Sequence, residues 1–299
     1  MWKWLSIPLV IVFLVGCSIT IDQGDEGQQD QTSKPEKIDP SIELTDNEDV
    51  DLEASFNEVV EGVFQIHIPY ANQQETIEYL ALGDSLTRGI GDQFNQFGYT
   101  GRLSKEFEKW PGVKEVILDN RGKNGRRSDQ LLALLERGHY DEELQEANFI
   151  SISIGGNDVM KIVKKDLFDL KESEFIKELA RYEERYKQII DHIRIQNPTV
   201  PIMLVGFYNP FEIVTDESTA FEMIIENYNA SIEDIAEADV NACFVPVHDL
   251  FESNMEMVYH TDFFHPNARG YEFMTERIID KLMECGIDKM SEGALRLRE

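Results

Sequence analysis

From about Val63 onward, short apolar runs alternate with longer stretches in which apolar residues recur every three or four positions. This recurrence is the period of an amphipathic α-helix. It occurs in three stripes, which are Leu179, Tyr182, Tyr186, Ile189, Ile190 and Ile193; Phe221, Ile224, Ile225, Tyr228 and Ile232; and Tyr271, Met274, Ile278 and Leu282. The short runs have the length of buried strands; they are Ile77–Leu82, Val116–Leu118, Phe149–Ile154, Ile202–Phe207 and Cys243–Val247. Five strands alternating with helices predict a parallel sheet with helices on both faces.

Polar turns that contain glycine follow the first three predicted strands. They are Gly83–Leu86 (Gly-Asp-Ser-Leu), Asn120–Gly125 and Gly155–Asp158, and Asp262–Pro266 lies beyond the fifth strand. Ligands of open α/β sheets bind outside the carboxyl ends of the strands. We therefore expect a serine, a glycine amide, an asparagine amide, an aspartate and a histidine to meet at this edge.

These residue types are the parts of an acyl-transfer site. Ser85 needs a base to remove its proton, and His265 suits that role near neutral pH. Asp262 lies three residues earlier and would hold the imidazole in the required tautomer. The oxyanion needs fixed donors, which the backbone N–H groups of Ser85 and Gly125 and the side chain of Asn157 would supply.

The order of these blocks resembles that of the SGNH hydrolases, also called GDSL esterases or lipases. The resemblance covers nearly all of residues 75–285. It implies an α/β fold, a flavodoxin-like three-layer α/β/α sandwich of about five parallel strands. It also implies hydrolysis of esters, thioesters or O-acetyl groups without a metal ion or cofactor.

One segment departs from the family pattern. Asn124–Arg127 reads Asn-Gly-Arg-Arg, where relatives often have Ser-Gly-x-Thr, and this difference bears on substrate preference. Arg126 and Arg127 could recognise an anionic substrate group, but we interpret them as a pair of solvated arginines beside a turn.

The N-terminus has the features of an export signal. Lys3 precedes the apolar run Trp4–Val15, and its twelve residues are too few for a bilayer core that needs about twenty. The run ends in Leu-Val-Gly-Cys, which resembles a bacterial lipobox. We predict a lipoprotein signal peptide at 1–16 and lipidation of Cys17, which would anchor the protein outside the cytoplasmic membrane. An ordinary secretory signal or an uncleaved anchor are the alternatives.

Composition separates a tether from a single larger domain. Residues 17–60 are rich in Asp, Glu, Gln and Gly with scattered apolar residues, which predicts a disordered acidic tether after the lipidated cysteine. Residues 61–299 contain no second linker and form the predicted hydrolase domain. The formal net charge of −29 argues against nucleic acid as a partner.

Several other residues could take part in chemistry. His248 and Asp249 could imitate the catalytic pair, but they follow the fifth strand too closely. His260 could line the pocket, although an exposed polar role is favoured. The remaining histidines, His67, His139 and His192, have no metal-ligand spacing, so no metal site is predicted. Whether Cys243 and Cys285 form a disulfide is left open by the sequence.

The sequence thus predicts a lipid-anchored, extracytoplasmic serine ester hydrolase that acts through an acyl-enzyme. Its partners would be an acyl-ester small molecule, a lipid or an O-acetylated glycan. The alternative from another class is a catalytically retired surface lipoprotein that binds glycan or lipid on the same scaffold.

Overall fold

The described part of the chain consists of alternating strands and helices. The computed structural model describes residues 74–165, 170–210, 219–252, 258–262 and 264–296. The predicted signal peptide, the lipidation of Cys17 and the tether lie outside these residues and stay predictions. His67 also lies outside the described residues. None of the described helices is long and apolar enough to cross a membrane.

The five predicted strands form a single parallel sheet. Their order is β2-β1-β3-β4-β5, and each neighbouring pair is parallel. The strands are β1 (Glu75–Gly83), β2 (Val113–Gly122), β3 (Phe149–Ser153), β4 (Ile202–Val205) and β5 (Ala242–Val245). β2 extends through Asn120 to Gly122, which the sequence analysis assigned to a turn, because Gly83 pairs with Gly122 at the end of β1.

Helices connect the strands and cover both faces of the sheet. The described helices are α1 (Ser85–Arg88), α2 (Gly98–Phe107), α3 (Ser128–Leu135), α4 (Asp141–Glu146), α5 (Gly156–Lys165), α6 (Glu172–Gln196), α7 (Thr219–Glu237), α8 (His248–Glu252), α9 (Ala268–Glu284) and α10 (Ile287–Met290). The three helices predicted from periodicity are α6, α7 and α9.

The alternation of side chains along β1 produces two separate hydrophobic cores. Leu80 and Leu82 belong to the core beneath α3–α7, whereas Ile77, Tyr79 and Ala81 belong to the core beneath α2, α9 and α10. Because the period of a strand is two, one apolar run serves both faces. The predicted three-layer α/β/α sandwich is confirmed.

A disulfide fastens the last strand to the last long helix. Cys243 of β5 and Cys285, directly after α9, are bonded with their Cα atoms 6.0 Å apart. Cys243 is buried, as its place in a strand predicts. The bridge answers the question that the sequence left open, and it holds the far end of the helix that begins three residues after His265.

Candidate active site

The sharp turn at the end of β1 presents Ser85 at the edge of the sheet. A Cβ at Gly83 would lie 2.2 Å from Thr87 Oγ1 and 2.3 Å from Ser153 O, so only glycine fits. The Asp84 carboxylate accepts the N–H of Leu86 at 3.0 Å, which caps α1. Ser85 therefore begins a short helix, with its hydroxyl directed toward the loop that carries His265.

Asp262, His265 and Ser85 form one continuous line of hydrogen bonds. Asp262 Oδ2 lies 2.7 Å from His265 Nδ1, and His265 Nε2 lies 2.9 Å from Ser85 Oγ. Although burial raises the pKa of Asp262, hydrogen bonds from the His265 ring and from two backbone N–H groups outweigh it and lower that pKa. An ionised carboxylate only accepts hydrogen bonds, so Nδ1 carries the proton and Nε2 can accept the one from Ser85.

The loop that holds His265 is fixed by backbone contacts. Asp262 Oδ1 accepts the N–H groups of Phe264 and His265, both at 3.0 Å. The His260 N–H donates to His265 O at 2.8 Å, so His260, which is partly exposed, helps to shape the loop. Asn267 then caps α9 by accepting the N–H of Gly270.

A glycine of the segment after Ser85 packs directly against this loop. A Cβ at Gly91 would lie 2.3 Å from Pro266 O and 3.0 Å from His265 Cβ, and the φ of Gly91 is +92°. The next residue, Asp92, is buried and paired with Arg102, which ties the segment down. Neither positioning role could be predicted from the sequence, because a Gly-x-Gly-Asp segment gives no sign of a contact that is distant along the chain.

The three predicted oxyanion donors have different environments. Asn157, in the first turn of α5, has its amide nitrogen 3.1 Å from Arg126 O and 3.3 Å from Asp84 Oδ2. Gly125, next to Arg126, is exposed with φ +73°, and nothing lies within 4 Å of the position of a Cβ. Substrate can therefore approach its backbone closely. Ser85 stands at the start of α1, where helical N–H groups lack internal partners.

Both N–H groups of the Asn157 amide are thus used by the protein itself. An oxyanion must compete for one of them, and the longer contact, to Asp84, is the weaker one. Burial raises the pKa of Asp84 to about 7, opposed chiefly by the hydrogen bond from Leu86. Asp84 can consequently change charge near neutral pH directly beside Asn157, a predicted oxyanion donor.

The interpretation of Arg126 as a solvated arginine is wrong. Its side chain is buried and donates to Arg121 O at 2.6 Å and to Gly83 O at 3.3 Å. Buried between two strand ends, it braces the turn that carries Gly125. Arg127 is partly exposed and pairs with Asp129.

Another buried carboxylate, to which the sequence assigns no role, holds the start of α5. Asp158 accepts the N–H and the hydroxyl of Ser128 at 2.9 and 2.7 Å and a hydrogen bond from Arg185 at 3.0 Å. Burial raises the pKa of Asp158. These bonds join α5 to α3 and α6 and so position the neighbouring Asn157.

The alternative catalytic pair, His248 and Asp249, makes hydrogen bonds to other side chains. His248 is hydrogen-bonded to Glu222, and Asp249 forms a bidentate pair with Arg277. Among the described residues, Glu222, His248 and Glu252 bring three potential ligand atoms within 4.8 Å of one another. Glu252 is exposed, and Nε2 of His248 already contacts Glu222. His192 pairs with Asp141.

Known proteins resemble this chain in sequence and in fold. The model of the GDSL-like Lipase/Acylhydrolase family matches residues 81–273. The chain is 31% identical over 224 residues to the uncharacterized protein YpmR of Bacillus subtilis, which covers 73% of this chain and 88% of that protein. It is 25% identical over 207 residues to the spore germination lipase LipC of Bacillus licheniformis, over 68% of this chain and 95% of that protein.

A solved structure shows the same fold. The lipase Lip_vut3 from a goat rumen metagenome superposes with a TM-score of 0.63 at 24% identity, covering 72% of this chain and 99% of that one. The family match extends over well more than half of the chain and includes the whole span from Ser85 to His265. The chain therefore belongs to the GDSL-like lipase/acylhydrolase family and is a hydrolase of ester bonds.

Proposed function

We propose that Ser85 is the nucleophile of this hydrolase, with His265 as its base and Asp262 as the group that orients the base. The observation that carries the proposal is the unbroken line of hydrogen bonds from Asp262 through His265 to Ser85. Its distances lie within the reach expected of a nucleophile and its base.

The reaction follows from the positions of these atoms. Ser85 Oγ attacks the acyl carbon while His265 Nε2 takes its proton, and the resulting oxyanion accepts hydrogen bonds from Ser85 N–H, Gly125 N–H and Asn157. Collapse of the intermediate breaks the ester bond, and His265 protonates the departing alcohol. Water then attacks the acyl-enzyme, His265 takes its proton, and the acid leaves as the proton returns to Ser85.

The substrate class is a carboxylic ester with an apolar acyl group. One relative, LipC, is described as a spore germination lipase, which supports a lipid-like ester. The apolar side chains Val159, Met160 and Phe207 line a cavity beside Ser85 and support the same class. Thioesters and O-acetyl groups would use the same reacting atoms.

We also propose that the enzyme is anchored outside the cytoplasmic membrane through lipid on Cys17. The support is the Leu-Val-Gly-Cys sequence after a short apolar run, together with the Cys243–Cys285 disulfide, since disulfides persist in oxidising compartments. Mass spectrometry of the mature N-terminus tests this: a diacylglyceryl-cysteine at position 17 supports the anchor, and an unmodified Cys17 contradicts it.

Hydrolysis of p-nitrophenyl esters by the full chain tests the mechanism. We expect Ser85→Ala and His265→Ala to lower kcat by at least about 10⁴-fold. Asn157→Ala should lower it by about 10²- to 10³-fold, the loss typical of one oxyanion donor. If the Ser85→Ala protein keeps its activity, the mechanism is wrong.

A further inference from the structure

Two apolar cavities lie along α7, and one of them opens at the nucleophile. The nucleophile-side cavity is lined at its polar end by Ser85 and Asn157 and elsewhere by side chains that include Val159, Met160, Phe207 and Phe221. The distal cavity is lined mainly by Leu170, Phe175, Leu179, Phe221, Ile224 and Tyr228. Of the described lining residues, Phe221 alone belongs to both.

The position of Phe221 on α7 explains why it separates the two spaces. Ile225, one turn after Phe221, lines the nucleophile-side cavity, whereas Ile224 and Tyr228 line the distal one. The Phe221 ring meets the ring of Phe175 edge to face, with centroids 6.2 Å apart and an interplanar angle of 80°. This contact with a buried partner in α6 holds the ring between the cavities.

The lining of the nucleophile-side cavity matches a hydrocarbon chain, because most of its walls are apolar side chains such as Val159, Met160, Phe207 and Ile225. Polar groups are concentrated at the Ser85 end of the first cavity. An acyl carbon placed at Ser85 would therefore direct its chain along apolar walls, whereas an acetyl group has no chain to place there.

We propose that the nucleophile-side cavity binds the acyl chain of the ester and that Phe221 sets the maximum chain length by closing it off from the distal cavity. This inference rests on the proposed function of Ser85. The substrate class is then an ester whose acyl chain extends from Ser85 as far as the Phe221 ring. Removing that ring joins the two cavities and lets a longer chain continue past α7.

The expected effect follows from the burial of methylene groups. Each buried methylene is worth about fourfold in kcat/KM, so kcat/KM should rise by about that factor per carbon until the chain meets Phe221, and then level off. Phe221→Ala removes six ring carbons. The rise should continue for several further carbons, and the ratio of kcat/KM for dodecanoate to that for hexanoate should increase at least tenfold.

The experiment measures kcat/KM of the full chain for p-nitrophenyl esters from acetate to dodecanoate, below the concentrations at which they form micelles. Phe221→Leu enlarges the opening with less disturbance of packing than Phe221→Ala, and Phe221→Trp should move the plateau to shorter chains. Met223→Ala is the matched control, because Met223 lies on the same helix and lines the distal cavity alone. The dependence of kcat/KM on acyl-chain length in Met223→Ala should equal that of the unmodified protein.

A second ester series identifies which part of the substrate enters the cavity. Acetate esters of alcohols of increasing length should give the same profile with and without Phe221→Leu. A shift in this series alone would overturn the assignment of the cavity to the acyl chain. An unchanged acyl profile in all three Phe221 variants, with activity that still depends on Ser85, would overturn the role of Phe221. Activity that survives Ser85→Ala would refute the proposed mechanism instead.

Discussion

Asp84 should make the stability of the protein depend on pH in a way that Asp84→Asn removes. The side chain is 4% exposed, and its pKa is raised from 3.8 to about 7, mainly by burial. The native state therefore holds this proton more tightly than the unfolded state does. The free energy of unfolding must fall as the pH rises from about 4 to about 7, because the unfolded chain ionises first.

The size of the effect follows from the two pKa values. Each pH unit between them removes about 1.4 kcal/mol, so the cost of ionising Asp84 grows by about 2.5 kcal/mol between pH 5 and pH 8. Asparagine does not titrate, and the other ionisable groups are common to both proteins. The free energy of unfolding of Asp84→Asn, relative to that of the unmodified protein, should rise by this amount over the same interval.

Urea unfolding of both full chains, followed by circular dichroism at pH 5, 6, 7 and 8, measures this difference. The change with pH isolates the proton, since the loss of the carboxylate's contacts to Leu86 and Asn157 is the same at every pH. Asp249→Asn is the control, because hydrogen bonds from Arg277 lower the pKa of Asp249. The free energy of unfolding of Asp249→Asn, relative to that of the unmodified protein, should therefore stay constant above pH 5. If the same relative free energy for Asp84→Asn is also constant with pH, the reasoning is refuted.

Two further predictions concern the loop and the disulfide. Gly91→Ala should lower kcat by about 10²-fold, the cost of a displacement of about 1 Å at a catalytic group, because its Cβ would press on Pro266 O at 2.3 Å. Gly293→Ala, at φ +88° with nothing within 4 Å, is the control in steady-state assays; equal losses in both would contradict the steric argument. Cys285→Ser should lower the free energy of unfolding by about 4 kcal/mol, the loop-closure value for a separation of 42 residues. An unchanged urea midpoint would contradict that value. Cys243→Ser should lower the free energy of unfolding by the same amount as Cys285→Ser.

The local pattern of hydrophobic and polar residues was sufficient to predict the architecture. The period-two and period-3.6 repeats report which side of each element is buried, so the five strands, the helices α6, α7 and α9 and the parallel sheet could all be predicted. The nucleophile turn was equally visible, because Gly83, Asp84 and Ser85 are adjacent in sequence and directly follow a strand. Asp262 and His265 lie three residues apart, and their proximity needs one turn of backbone.

What the sequence could not determine depends on groups that are distant along the chain. Arg126 looks like a solvated residue in sequence, yet it is buried because β1 and β2 end side by side and offer it two carbonyl oxygens. The two partners of the Asn157 amide, the contact of Gly91 with the His265 loop and the place of Phe221 between two cavities arise in the same way. Periodicity records burial one element at a time, whereas these contacts are set by strand register and helix packing, which exist only in the folded chain.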